Sequence, residues 1–375
     1  MLTPLLSRRA AGLGLAALPL TGCAAPSGYD QAVLDTWRLA PAGPGDLPVP
    51  ALVHAACLAA NSHNTQPWRF EAEGRRIAVR PDFARRTPVV DPDDHHLYVS
   101  IGCAAETMLQ AAPGYGWSGE VDGVGREGVA LSFMPSEPRR TAAFETIPRR
   151  ASTRAEYDGR PVPPGVLLGL VAAAGPQVEA IVLQDSRRLE DATGFILEGN
   201  AAQVADRAFR RELKRWIRFS EAEAAATRDG LFAGASGNPA LPRAIGEPLF
   251  ELAFTESGEA DKIRRQMNSS AGLVVFTAPS NDVAGWVEAG RAYTRFALAA
   301  TAEGLKLAFL NQAVEHAPTR AEFARWLGAP DARPDLVIRF GYGPDMPRSL
   351  RRPARQVLDH GGGVSSAAAS PPARR

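Results

Sequence analysis

Cysteine is scarce in this sequence, with 3 among 375 residues, and no two of them form a CxxC pair. There is also no HExxH and no Cys/His cluster, so no metal site is expected. Asp93-Asp94-His95-His96 comes nearest to one, but four polar residues before an apolar helix read as a helix start with solvated side chains. An excess of one charge sign is missing too. The formal net charge is +1, which excludes the strong field that nucleic acid or an anionic membrane surface would draw. No Ser/His/Asp nucleophile motif occurs, since Gly234-Ala235-Ser236-Gly237 lacks the final glycine spacing. Gly114-Tyr115-Gly116-Trp117-Ser118-Gly119 fits G-x-G-x-x-G, but it follows a helical pattern and precedes a strand. The dinucleotide fingerprint needs the reverse order, so this is a turn.

No apolar run is long enough to cross a bilayer. The longest one near the start, Ala10 to Leu20, follows Ser7-Arg8-Arg9 and ends at Leu20-Thr21-Gly22-Cys23. That order predicts a signal peptide over 1–22, and the arginine pair suits the twin-arginine export route. The final four residues resemble a bacterial lipobox, in which Cys23 is lipidated. Ordinary peptidase cleavage, or an uncleaved start, remains the alternative. The expected location is therefore periplasmic or cell-envelope, with a lipid anchor at Cys23 as the contact with a membrane. Cys57 and Cys103 lie in Ala-rich helical segments and are expected as small buried apolar residues.

Composition places a flexible tether at 23–48, rich in Pro, Gly and Ala, and a disordered tail at 361–375. Between them, helical patterns near Pro50, at His96–Ala112, Gly165–Ala174 and Ala284–Glu303 are interleaved with strand patterns. The strands are expected at Arg76–Arg80, near Glu120, and at Val129–Met134, Val178–Leu183, Gly272–Thr277, Leu305–Leu310 and Asp335–Arg339. Two related series emerge. Gly102 aligns with Gly290, and Gly116 with Gly304 at the same offset, with helices of equal length between them. Leu52-Val53 matches Leu170-Val171 at a shorter offset, and the charged helical stretch 186–268 accounts for the difference. The first repeat is assigned to 49–140 and the second to 141–360, with 186–268 inserted in the second. The expected fold is α+β.

The most informative segment is Asn61-Ser62-His63-Asn64-Thr65-Gln66-Pro67-Trp68-Arg69-Phe70. After an apolar helix, it packs six polar side chains into a turn that Pro67 ends and Trp68 anchors. Such a turn can offer amide and hydroxyl groups to a polar planar ligand. Arg149-Arg150-Ala151-Ser152-Thr153-Arg154 places cations and hydroxyls together, as a phosphate site needs. A further arginine pair, in Leu350-Arg351-Arg352-Pro353, follows the final strand.

In these motifs the chain resembles the nitroreductase superfamily, whose members carry an S-x-x-N-x-Q-P-W-x-F-like segment along a flavin. Here those residues are Ser62, Asn64, Gln66, Pro67, Trp68 and Phe70; His63 is typical of the Acg-like branch, whose members are fused pseudo-dimers. The resemblance implies a three-layer α-β-α nitroreductase-like fold and one bound FMN. It assigns Arg150, Ser152 and Arg154 to the R-x-S-x-R element for the FMN phosphate, with Arg351 and then Arg352 as further phosphate ligands. Asn311 and Gln312 would approach the flavin N5 edge, and 186–268 would form a lid. The chain departs from the family in one respect. The Asn-Gln-Pro-Trp turn occurs only in the first repeat and the arginine element only in the second. One complete site between the repeats is therefore expected, in a monomer acting as its own dimer.

The implied activity is two-electron transfer from a reduced nicotinamide or quinone-type donor to a nitro, quinone or similar acceptor. The alternative is a flavoprotein that sequesters FMN or senses redox state. The cofactor carries the chemistry, so no catalytic residue is named.

Overall fold

The computed structural model describes residues 27–41 and 45–359; the expected signal peptide, Cys23 and the tail 361–375 lie outside the described residues. Helix α1 (Gly28–Trp37) opens the described chain. The Ser27 hydroxyl accepts from the Asp30 N–H, and the Asp30 carboxylate takes the Ser27 N–H, forming a capping box. Tyr29, Ala32 and Trp37 are buried. The expectation of a tether over 23–48 is thus corrected. Its Pro, Gly and Ala flank a helix whose aromatic residues fasten it to the far end of the chain. Tyr29 Oη donates to the Arg348 carbonyl at 2.6 Å, and Trp37 Nε1 to that of Ser349 at 3.1 Å.

Next come α2 (Val49–Cys57), β1 (Trp68–Glu73), β2 (Arg76–Pro81), α3 (His95–Ala111), β3 (Trp117–Gly125) and β4 (Gly128–Pro135). Strand β1 was not expected, because its polar alternation runs straight on from the Asn-rich turn. A second series follows with α4 (Ala142–Thr146), α5 (Pro164–Ala174) and β5 (Glu179–Leu183). The insertion holds α6 (Ser186–Ala205), α7 (Arg207–Trp216), β6 (Ile217–Arg218), α8 (Glu221–Thr227), β7 (Leu231–Phe232), α9 (Arg243–Ala253) and α10 (Glu256–Asn268). It is mainly helical, as expected. The chain then continues through β8 (Gly272–Thr277), α11 (Val283–Ala302), β9 (Lys306–Phe309), α12 (Gln312–Glu315) and α13 (Ala317–Leu327). It ends in β10 (Pro334–Gly341), α14 (Ala354–Val357) and β11 (Leu358–Asp359).

The two larger sheets share one topology, apart from the parallel β6–β7 pair of the insertion. The first has the order β11-β1-β2-β4-β3 and the second β5-β8-β10-β9. Setting β11 aside, first, second, fourth and third strands of each series lie side by side, all antiparallel. In both series a helix enters between the second and third strands, α3 in one and α11 in the other. β11, from the end of the second series, joins the first sheet parallel to β1.

Helices α3 and α11 pack on each other along two glycines. A Cβ on Gly102 would run into the Val287 carbonyl, and a Cβ on Gly290 would run into the Val99 carbonyl. Val99 and Val287 stand at the same sequence offset as Gly102 and Gly290, so the contact is reciprocal. The pair is also held by Glu106, buried on α3, whose Oε2 accepts from Arg291 at 3.0 Å and Arg295 at 3.1 Å.

Alternation along β8 and β10 explains the layers. Val274, Phe276, Ile338 and Phe340 belong to the core shared with α3 and α11. Leu273, Val275 and Val337 face the opposite way, against Ile196 of α6, Ile263 of α10 and Phe323 of α13. The second sheet is therefore the middle of a helix–sheet–helix sandwich, and the fold is α+β with this three-layer arrangement. No helix among the described residues is long and apolar enough to cross a membrane.

Candidate cofactor site

A cavity of about 570 Å³ lies where the Asn-rich turn, α3, the β9–α12 junction and the insertion meet. The volume falls within the range of about 300–1,000 Å³ usual for small-molecule sites. Of the residues expected from the sequence, Ser62, His63, Arg154, Asn311 and Gln312 line it. They come from opposite ends of the chain and from both series.

Side chains reinforce the single 3-10 turn of Ser62–Asn64, in which the Thr65 N–H donates to the Ser62 carbonyl at 2.9 Å. His63, Asn64 and Gln66 have φ of 47°, 52° and 54°, a conformation that non-glycine residues adopt only when surroundings impose it. Asn61 Oδ1 accepts from the Gln66 N–H at 2.8 Å, and the Ser62 N–H donates to Ser100 Oγ at 3.3 Å. Asn64, Gln66, Trp68 and Arg352 do not line the cavity; they frame it. Asn64 Nδ2 donates to the Gly230 carbonyl at 2.9 Å and the Leu350 carbonyl at 3.0 Å. Gln66 Nε2 donates to the Arg228 carbonyl at 2.9 Å, and its Oε1 accepts from the Arg352 N–H at 2.7 Å. The Arg352 guanidinium returns to the Gln66 and Trp68 carbonyls. Trp68 is fully buried in the core. The turn is thus tied at once to the insertion and to the segment before α14.

The Arg154 guanidinium enters the cavity wall with no hydrogen bond or ion pair among the described residues, while its carbonyl accepts from Gln266 Nε2 at 2.9 Å, and burial lowers its pKa. The loop that carries it is fixed by fully buried Arg339, which donates to the Gln266 carbonyl at 2.9 Å and stacks on Tyr157 at 3.8 Å. Burial, with Arg154 adding to it, pushes His63 down to about 4, so its imidazole is neutral at physiological pH. Ser152 forms an isolated parallel bridge with Leu307, which seats the arginine segment on the edge of the second sheet.

Arg150 and Arg351 meet at the C-terminal end of α2, behind the cavity residue Ala60. Arg150 Nη2 donates to the Leu58 carbonyl at 3.0 Å and Arg351 Nη2 to that of Ala59 at 3.4 Å. Both are buried, and neither pairs with a carboxylate among the described residues. Burial, then Arg150, pushes Arg351 down to about 9. Arg348 adds a third cation, stacked 4.7 Å from the Trp37 ring centroid. Arg351 and Arg352 line a separate hollow of about 760 Å³ beside α2, and none of Arg150, Ser152, Arg351 and Arg352 lines the 570 Å³ cavity itself.

Several buried polar atoms have no partner among the described residues. At the arginine group these are Arg150 Nη1 and Arg351 Nε, and in the cavity wall Asn200 Nδ2 and Gln312 Oε1. Uncompensated cations beside unsatisfied amides fit a ligand with an anionic end and a polar planar ring. No group of three or more His, Cys, Asp or Glu able to hold a metal ion occurs among the described residues.

Sequence reasoning missed His96, Asn200, Gln203 and Glu315, all of which line the cavity. His95 and His96 are buried, which corrects the expectation of solvated side chains at that helix start. His95 Nε2 lies 2.7 Å from Asp335 Oδ1. Burial drives both histidines well below the usual histidine value. Cys57 and Cys103 are free and buried, as expected.

No family model matches the chain. A Mycobacterium tuberculosis protein provisionally named NAD(P)H nitroreductase is 26% identical over 322 residues, spanning 81% of this chain and 89% of its own. A second protein of that organism, with the same provisional name, is 23% identical over 325 residues, spanning 83% and 95%. Among solved structures, an FMN-dependent nitroreductase of Mycobacterium smegmatis in complex with NADPH is 16% identical. It covers 61% of this chain and 98% of its own, at a TM-score of 0.38. A nitroreductase with bound FMN from Bacteroides fragilis is 14% identical, covers 62% and 100%, and has a TM-score of 0.34.

Proposed function

We propose that this chain is an FMN-binding oxidoreductase of the nitroreductase type, built from two fused and diverged repeats. The observation that carries the reading is the buried, carboxylate-free arginine pair, Arg150 and Arg351, placed behind a cavity whose walls hold unsatisfied amides. Two like charges out of water without a counter-ion are costly, and a bound dianion is their natural partner. Similarity to the two M. tuberculosis proteins supports the same reading. The shared sheet order and the reciprocal Gly102–Val287 and Gly290–Val99 contacts support the duplication.

Arg150 and Arg351 would hold the phosphate. Ser62, His63, Asn311 and Gln312 would meet the ring system, and Arg154, expected from the sequence at the phosphate, lines the cavity beside them and would supply positive charge there. When bound, FMN supplies two-electron transfer through its N5 between a nicotinamide or quinone-type donor and a nitro, quinone or similar acceptor. The protein's part is to orient the ring, keep His63 neutral against it and exclude water with the insertion. Because the two motifs complement each other only across the repeats, one chain carries one site and acts as its own dimer.

A second reading, FMN sequestration or redox sensing, is favoured by one observation. The insertion lays Phe209, Phe219, Leu241, Phe250 and Phe254 along the cavity, a cover that also restricts a nicotinamide. Anaerobic addition of NADPH to the FMN-loaded chain separates the two. Bleaching of the flavin band within seconds supports a reductase, whereas a band that only dithionite bleaches supports sequestration or another donor. Export with a lipid anchor at Cys23 is part of the proposal, and loss of labelled-lipid incorporation in Cys23→Ala would support it.

A further inference from the structure

Reducing a nitro or quinone acceptor takes protons as well as electrons, and the residues assigned to FMN offer none. His63 is neutral, Arg150, Arg154 and Arg351 carry guanidinium groups rather than acids, and the others are amides and a hydroxyl. Elsewhere in the cavity wall, Glu315, its side chain 15% exposed, has a defined pair of neighbours. It ends α12, the turn of helix that begins at Gln312, so the junction that places the two amides also places this carboxyl.

Its two oxygens have different surroundings. Oε2 accepts from Gln203 Nε2 of α6 at 2.6 Å, whereas Oε1 lies 3.7 Å from His96 Nε2 of α3. Among the described residues no Lys or Arg pairs with it. Arg320 of α13 donates instead to the Val314 carbonyl at 2.8 Å, and His316 bonds Thr319, which donates to Glu198 of α6. Asp91, before α3, accepts the His96 and Leu97 N–H groups at 2.9 Å and adds like charge. Glu259 and Lys262 of α10 line the same cavity from its half-exposed side. Burial pushes Glu315 up to about 7, against the lowering by Gln203 and with Asp91 reinforcing it. A carboxyl balanced near neutral pH is suited to general acid work.

We propose that Glu315 is the proton donor of this cavity, with the neutral His96 imidazole positioned beside its Oε1. The inference rests on the flavin reading above. The Glu315 O–H bond breaks, and its proton goes to the acceptor oxygen or nitrogen that gains an electron pair from the reduced flavin. The carboxylate left behind is reprotonated from solvent.

The test uses the full chain and Glu315→Gln, with Glu315→Asp as the variant that keeps an acid. In the flavin-free protein, infrared difference spectra between pH 6 and pH 8 should lose one titrating carboxyl in Glu315→Gln. In the FMN-loaded, dithionite-reduced protein, nitrobenzene is the acceptor. Wild-type reoxidation should fall about tenfold per pH unit above about 7. Glu315→Gln should be at least about 100-fold slower at pH 6 and independent of pH, while Glu315→Asp keeps a pH-dependent limb. A Glu315→Gln profile matching wild type, or no missing carboxyl band, overturns the inference and leaves the flavin reading intact. A wild-type chain that takes up no FMN overturns both.

Discussion

Replacing Arg351 by methionine separates stability from cofactor binding, because this guanidinium is costly to the flavin-free protein and needed by the loaded one. The depression of its pKa to about 9 corresponds to about 5 kcal/mol against the charged form, relative to water. Against that stand three long hydrogen bonds, to Ser349 and Leu350 at 3.4 and 3.2 Å and to Ala59 at 3.4 Å, and stacking 5.1 Å from the Trp37 ring centroid. Bonds of that length and one cation–π contact contribute about 2–3 kcal/mol together. Methionine fills similar volume without the charge, so the flavin-free variant should be about 1–3 kcal/mol more stable and melt a few degrees higher. FMN binding should weaken by about 2–5 kcal/mol, roughly 30-fold to several thousand-fold, because a charge-assisted phosphate contact is lost. Calorimetric melting of the flavin-free protein and titration with FMN read the two effects separately. A destabilised flavin-free variant with unchanged FMN affinity would refute the reasoning and make Arg351 a structural residue.

Gly290→Ala places a methyl against the Val99 carbonyl, with no flexible side chain to yield, and should cost about 2–4 kcal/mol in urea unfolding. An unchanged midpoint would show that α3 and α11 slide freely. Gln66→Ala leaves the half-buried Arg352 N–H and Arg228 carbonyl unpaired and should cost about 1–2 kcal/mol, read as a lower melting temperature. The pH dependence of stability has a definite sign above neutrality. Burial raises Asp91, Asp335 and Glu315 to about 7, so their contribution is full below the ordinary carboxyl range near 4 and is lost as pH rises through about 7. The depressed histidines His63, His95 and His96 contribute fully above their ordinary value of 6.5 and are lost only as pH falls. Urea unfolding between pH 6.5 and pH 8 should therefore show falling stability, and a flat or rising profile contradicts the buried carboxyls.

Features written into local sequence were legible in advance. The Asn61–Phe70 turn announced itself by rare polar density, and Gly102 and Gly290 aligned the two repeats; that their helices pack on each other there, with no room for a Cβ, only the structure shows. Strand positions followed from apolar runs, since β8 is apolar and buried along its length and β10 carries Leu336, Val337, Ile338 and Phe340 between buried Asp335 and Arg339. What stayed hidden depends on partners far along the chain. Helix α1 was masked by flanking Pro and Gly, although Ser27 and Asp30 spell a capping box. His96 was read as solvated because nothing nearby shows that α6 and α12 cover it. Asn64 and Gln66 carry the expected motif, yet their side chains serve the backbone of residues 228–230 and 350–352. Glu315 gains its meaning only from Gln203 and His96.

The central claim is tested most directly by incubating the purified chain with FMN, removing the free flavin and recording the absorption spectrum. The account predicts a flavin band near about 450 nm at one FMN per chain, much reduced in Arg150→Ala. A chain that retains no flavin after this treatment would contradict it.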